Sequence, residues 1–187
     1  MRRDIIQAYI DGQRGKYMEL VDIYNTDRER TGKILPRKGV FDCLADNERI
    51  LLVHTCVFNS GNKMLIQQRQ PTKDLYPGCW DVSAGGFVSS GEDSADAALR
   101  ETSEELGMDL SKDSFSFVCC EPFGKVLDDF YNVYADADIP ELHLQESEVT
   151  GAAWAGREKV LRMISDRRFV DYSAELINRL FDTAESR

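Results

Sequence analysis

The apolar positions of this chain come in short runs, and their spacing switches between two periods. Residues 50–58 (ILLVHTCVF) form an almost continuous apolar run of strand length, which predicts a buried β-strand. Asn59-Ser60-Gly61-Asn62 supplies turn residues, and 63–70 (KMLIQQRQ) reads as the returning strand. Earlier, ELVDIY (19–24) alternates apolar and polar residues, NTDRERTG carries turn chemistry and KILPRK follows, which predicts a β-hairpin. A further strand runs from Trp80 to Ala84 and enters the pair Gly85-Gly86. Residues 114–123 and 128–138 read as strands around Gly124, and 148–155 as a short strand ending near Trp154. Helical spacing governs 95–106, 157–165 and 172–184, the last placing Leu176, Ile177, Leu180 and Phe181 on one face. Residues 1–18 read as a short helix broken near Gly12 and Gly15. Strands interleaved with helices, without repeat or low-complexity linker, predict one α/β domain over 1–187: a mixed sheet with helices on both sides.

The densest information lies in residues 86–108, GFVSSGEDSADAALRETSEELGM. Gly86 and Gly91 mark a turn-prone stretch, and Asp93 or Ser94 offers an N-cap. Good helix formers fill 95–106, and Gly107 falls where a helix wants a left-handed C-terminal residue. Ala95, Ala98, Leu99, Thr102 and Leu106 form the expected apolar stripe. Glu101, Glu104 and Glu105 stand at i, i+3 and i+4, so their carboxylates are expected to converge on a neighbouring, solvated stripe. Like charges so placed repel by a few tenths of a kcal/mol per pair. Hard divalent cations relieve that repulsion, and oxygen clusters suit Mg2+ or Mn2+. An acidic solvated face without a ligand is the plainer reading of the glutamates alone.

The full spacing decides between them. From Gly86 there are five residues to Glu92, seven to Arg100-Glu101, two to Glu104-Glu105 and one to Gly107 and Met108. This pattern closely resembles the signature of the Nudix hydrolases, with Thr102 as the one departure, where an aliphatic residue is usual. The resemblance implies an α/β/α sandwich with its core over about 19–165, a short N-terminal extension and a C-terminal helix. It implies Glu101, Glu104 and Glu105 as metal ligands, joined by the carbonyl of Gly85. Gly86, Glu92 and Gly107 become structural members of the signature, Glu92 bracing Arg100. Glu101, then Glu104, are the candidate catalytic bases, and Arg100 is grouped with them. Glu146 and Glu148, in a later loop, are alternative bases, though most glutamates of this kind are simply solvated.

Upstream, Gln67, Gln68, Arg69 and Lys73 are polar groups beside the signature. Arg69 suits a bidentate phosphate contact and Lys73 a point-charge contact, so both are candidate substrate-binding residues. The segment QQRQPTKDLYPGCWDVSAGG resembles the Nudix subgroup related to isopentenyl diphosphate isomerase. That resemblance places Gly85 where the isomerase has its catalytic cysteine and Phe87 where it has a metal-binding histidine. Cys79 lies six residues too early to substitute. Lacking those groups, the chain is expected to hydrolyse a diphosphate: that of a nucleoside diphosphate linked to another moiety, or a related organic pyrophosphate. Isomerisation is one alternative, and a Nudix-shaped regulatory module that binds nucleotide without turnover is another. The intact glutamates and the absence of a basic appendage argue against the second. Tyr76, Trp80, Phe87, Phe123, Phe130 and Tyr131 could stack on a base, but core or hinge positions are expected.

Composition narrows the partners. The chain has 187 residues, 42% hydrophobic and 30% charged, with a net charge of −10. Such acidity argues against nucleic acid or an anionic membrane as partner, while bound metal still permits phosphate-rich small molecules. No apolar run approaches 18 residues and the start lacks a signal-peptide core, so a cytoplasmic protein is expected. Cys43, Cys56, Cys79, Cys119 and Cys120 form no CxxC pair and are expected to be buried reduced thiols. His54 and His143 read as structural. Apolar residues in 1–45, among them Ile5, Ile6, Tyr9, Ile10, Leu20, Val21, Ile23 and Tyr24, exceed what one small sandwich needs. They predict a homodimer, or a lid folded over the chain's own sheet.

Overall fold

The structure is a computed structural model that describes residues 19–186. The N-terminal helix expected over 1–18 lies outside the described residues. The first element is a hairpin, β1 (Leu20–Tyr24) and β2 (Arg30–Pro36), in the expected place. A larger mixed sheet holds β3 (Ile50–Phe58), β4 (Met64–Arg69), β5 (Trp80–Asp81), β6 (Ala84–Phe87), β7 (Ser116–Phe123), β8 (Val126–Tyr134) and β9 (Val149–Ala155). Three α-helices, α1 (Ser94–Leu106), α2 (Arg157–Ser165) and α3 (Ala174–Glu185), and three short 3-10 turns complete the described residues.

β3 is the spine of the sheet. It runs parallel to β8 from Ile50↔Val126 to Phe58↔Tyr134, and antiparallel to β6 from Leu52↔Phe87 to Thr55↔Ala84. The returning strand β4 meets β3 at one register position only, Phe58↔Met64. It then turns away to pair with β5 and β9. The sheet therefore splays into two wings that share an apex at Phe58 and Met64. Simple hairpin logic expected a continuous ladder here, whereas later strands compete for both partners.

Alternation along β3 feeds the two faces of the sheet. Cys56 and Phe58 join Ile66, Phe130, Val160, Met163, Leu176, Ile177, Leu180 and Phe181 in an apolar core beneath α2 and α3. Val53 and Val57 point the other way, towards Ala97, Ala98 and Leu106 of α1. The arrangement is the expected α/β/α sandwich. Val21, Ile23 and Tyr24, invoked above for a two-fold contact, are already buried within the chain, Val21 and Ile23 against Val40, Leu44 and Ile50. All five cysteines are free, but only Cys56 and Cys119 are buried and Cys43 is exposed. Among the described residues no helix is long and apolar enough to cross a membrane.

Candidate functional site

Helix α1 starts and stops where its sequence says. Asp93 is the N-cap residue but makes no side-chain cap bond, and Gly107 closes the helix in the left-handed conformation (φ 67°). The buried stripe, however, is Ala97, Ala98, Thr102, Glu105 and Leu106, not the expected one that included Ala95 and Leu99. The helix is turned so that Glu105 faces the sheet. Thr102 fits this interior because its hydroxyl donates to Ala98 O at 2.7 Å, leaving only the methyl to pack.

The loop before α1 is fastened by Arg100. Its guanidinium donates to both carboxylate oxygens of Glu92, at 2.9 and 3.0 Å, and to Phe87 O at 3.0 Å. Glu92 in turn accepts from Ser89 N at 3.0 Å. Burial alone would raise the Glu92 pKa, but the Arg100 fork and the Ser89 N–H hold it below the usual carboxylate range. A second fastening was invisible in the sequence: Asp22 of β1 accepts from Ser90 Oγ and Gly91 N, at 3.0 and 2.9 Å.

The three signature glutamates occupy three environments. Glu105 is 6% exposed, contrary to the solvated position expected for it. Its Oε2 accepts from Gln67 Nε2 at 2.8 Å and from Gly85 N at 3.2 Å. Glu101 lies at the rim, bound to Arg100 at 2.6 Å, and Glu104 points outward with a long 3.4 Å contact to the same arginine. Burial pushes Glu105 up to about 8, with the charge of Glu101 adding to the effect against the Gln67 and Gly85 donors. Burial also raises Glu101, opposed by Arg100.

Gly85 and Gly86 are strand residues of β6, not the loop expected from their composition. Close approach explains them. A Cβ on Gly86 would fall inside the Glu101 carboxylate, and one on Gly85 would stand 2.8 Å from His54 Nδ1 and 2.9 Å from Val53 O. A cysteine at position 85 would therefore collide with His54. Phe87, the other position that separates this chain from the isomerase pattern, carries the Arg37 guanidinium over its ring at 4.5 Å.

His54 is satisfied, as expected: Nε2 bonds Asp128 at 3.0 Å and its ring stacks on Phe130 at 4.7 Å between centroids. Its position beside Gly85 was not foreseen. Burial would lower its pKa, but Asp128 and the nearby Asp81 and Glu105 leave it raised. Tyr172 donates to Asp81 at 2.8 Å behind it. Arg69 is held by Asp81 at 3.0 Å and Leu75 O at 3.2 Å, and Lys73 is paired with Glu148. Both tentative substrate cations thus have partners already, and Glu148 is engaged rather than poised. Glu146 is exposed, as are Tyr76 and Phe123, so neither aromatic lies in the core.

A hollow of about 440 Å3 opens at the far end of α1, lined by Arg28, Arg30, Ser94, Lys112 and Tyr131 among others. Its cations are taken by Asp129, Asp22 and Asp96, and it lies at the opposite end of the helix from Glu105. The signature glutamates lie instead where the wings of the sheet part, with Gln67 of β4 and Gly85 of β6 meeting on Glu105. Among the described residues no three acidic, histidine or cysteine side chains stand close enough to hold a metal ion as placed. Glu101 and Glu104 turn to Arg100 instead, leaving Glu105 alone inside.

The sequence profile of the NUDIX domain matches residues 43–178. The chain is 38% identical over 169 residues to an uncharacterised Nudix hydrolase of Listeria monocytogenes, covering 88% of this chain and 95% of that one. To a Nudix hydrolase of Deinococcus radiodurans it is 30% identical over 169 residues, covering 89% and 96%. A crystal structure from Deinococcus radiodurans superposes with a TM-score of 0.71 at 27% identity, over 87% of this chain and 99% of the other. The NUDIX domain of Shewanella oneidensis NrtR, solved with ADP ribose, shares the fold at a TM-score of 0.59 and 16% identity, over 80% and 99%. The braced signature, the splayed sheet and matches running over most of the chain lead to one assignment: this protein belongs to the Nudix hydrolase family, as a pyrophosphohydrolase.

Proposed function

We propose that the enzyme depends on Mg2+ or Mn2+ and cleaves the diphosphate of a nucleoside diphosphate linked to another moiety. One observation carries this reading: Glu105 is a carboxylate buried beside Gly85 with burial raising its pKa, and Glu101 stands next to it at the rim. An interior carboxylate of that kind is stabilised when a divalent cation supplies the missing positive charge. The donors fit a hard cation in kind, being carboxylate and backbone oxygens. Glu101, Glu104, Glu105 and the Gly85 carbonyl would hold it, with Glu101 and Glu104 turning away from Arg100. Bound there, the cation would neutralise diphosphate charge and lower the pKa of water.

The chain's own residues divide the remaining work. Arg100 and Glu92 keep the loop 88–93 against α1, so the glutamates stay aligned with Gly85-Gly86. Glu101, bordering both Arg100 and Gly86, is the first candidate to take a proton from water, and Glu104 the second. Hydrolysis is preferred over isomerisation because His54 closes the space a cysteine at 85 would need. A screen of purified protein with Mg2+ and Mn2+ over sugar nucleotides, dinucleotide cofactors, ADP-ribose, nucleoside triphosphates and isopentenyl diphosphate tests the reading. Hydrolysis of a nucleoside diphosphate derivative supports it; formation of dimethylallyl diphosphate would overturn it.

A further inference from the structure

The two glutamines of β4 have opposite fates. Gln68 turns to the neighbouring loop and donates to Gly78 O at 3.1 Å. Gln67 turns inward, 4% exposed, and donates to Glu105 Oε2. The Gly85 N–H reaches the same oxygen, so both donors converge on Oε2, and Glu105 Oε1 makes no hydrogen bond among the described residues. Gln67 Oε1 is also buried with no partner there.

Buried amide oxygens are rarely left in this state. Turning the amide over does not help an ionised Glu105, the form that holds a metal ion, because the amide oxygen would then face the carboxylate and the NH2 group would be stranded instead. The carboxylate therefore fixes the amide orientation, and whatever satisfies Oε1 must bring a hydrogen-bond donor into the space beside Glu105. A hydrated divalent cation brings positive charge for the carboxylate and water protons for the amide together.

We propose that Gln67 is a positioning residue of the metal site: its Nε2 fixes Glu105 Oε2, leaving Glu105 Oε1 for the cation, while its Oε1 accepts a hydrogen bond from the cation's hydration shell. The proposal rests on the metal-dependent reading above. Groups that orient a metal ligand in this way characteristically contribute tenfold to a hundredfold to affinity.

The test is Mn2+ binding to the full chain without substrate, read by electron paramagnetic resonance, in wild type and Gln67→Met. We expect the variant to bind Mn2+ about ten- to a hundredfold more weakly. Its melting temperature in EDTA should be no lower than wild type, because the stranded oxygen is gone. Turnover should recover as Mn2+ is raised. Unchanged Mn2+ affinity in Gln67→Met would overturn the role of Gln67 while leaving the metal site standing. Absence of Mn2+ binding by wild type would overturn the metal-dependent reading itself. Should Gln67→Met not fold, Gln67→Asn, which withdraws the amide by one methylene, carries the same expectation for Mn2+ affinity and for recovery of turnover.

Discussion

Helices α3 and α1 flank the same sheet and are built to different rules. α3 buries Leu176, Ile177, Leu180, Phe181 and Ala184, all apolar, and Ser173 caps its start by accepting from Leu176 N at 3.1 Å. α1 buries two alanines, a threonine, a glutamate and a leucine, and its N-cap side chain makes no cap bond. In α3 each local choice agrees with the fold. In α1 the departures from that agreement include Glu105, a proposed metal ligand, and such conflicts are expected at functional sites. One helix supplies stability, and the other spends some of it to keep a carboxylate inside.

The strongest way to break this contrast is Glu105→Gln. Turnover at saturating Mg2+ should fall roughly a hundredfold or more, the scale of losing a group that organises charge stabilisation in an active site. The melting temperature in EDTA should hold or rise, since a neutral amide replaces a buried acid. Near-normal turnover in correctly folded protein would reject the site. Leu180→Ala is the mirror experiment. It should cost about 2–5 kcal/mol in urea unfolding by opening a cavity in the apolar core, with turnover per folded molecule unchanged. A large fall in turnover there would show that the two helices are not separable.

Arg100→Ala should fall between them. Glu92 keeps only the Ser89 N–H and Phe87 O loses the guanidinium, so stability should drop by about 1–3 kcal/mol and activity should fall with it. Separate assays of melting temperature and turnover would show whether only one of the two moves. A test that needs no substitution is that of pH on metal-free protein. Glu105 is raised from 4.5 to about 8, so the folded state binds its proton more tightly than the unfolded chain does. That contribution is fully present below about pH 4.5 and is lost as pH rises through about 8. Melting in EDTA across this window should therefore show stability declining, and saturating Mg2+ should flatten the decline.

Much of α3 and the signature was legible because their information is local. Periodicity placed Leu176, Ile177, Leu180 and Phe181 on one face, and the resemblance to the Nudix signature paired Glu92 with Arg100 across a single loop and helix. What was not legible depends on the path of distant strands. Nothing in KMLIQQRQ says that β4 leaves β3 after one register position, yet that departure brings Gln67 to Glu105. Gly85 and Gly86 looked like turn glycines because composition cannot tell a left-handed backbone from one pressed against a carboxylate or imidazole. Glu105 looked solvated because helical spacing gives an angle around the axis, not what lies opposite. Arg69 and Lys73 looked free because Asp81 and Glu148 reach them from other parts of the chain.

The signature loop is fastened from outside the stretch that the domain profile matches. Asp22 holds Ser90 and Gly91, Arg30 donates to Glu92 O, and Arg28 anchors the hairpin to Asp129, yet all three precede residue 43, where the profile match begins. The motif and its moorings are therefore separate parts of the sequence. A change confined to the hairpin could keep every signature residue and still retune how firmly the loop is held. For this chain, the limits of the recognised domain and the limits of the working machine do not coincide.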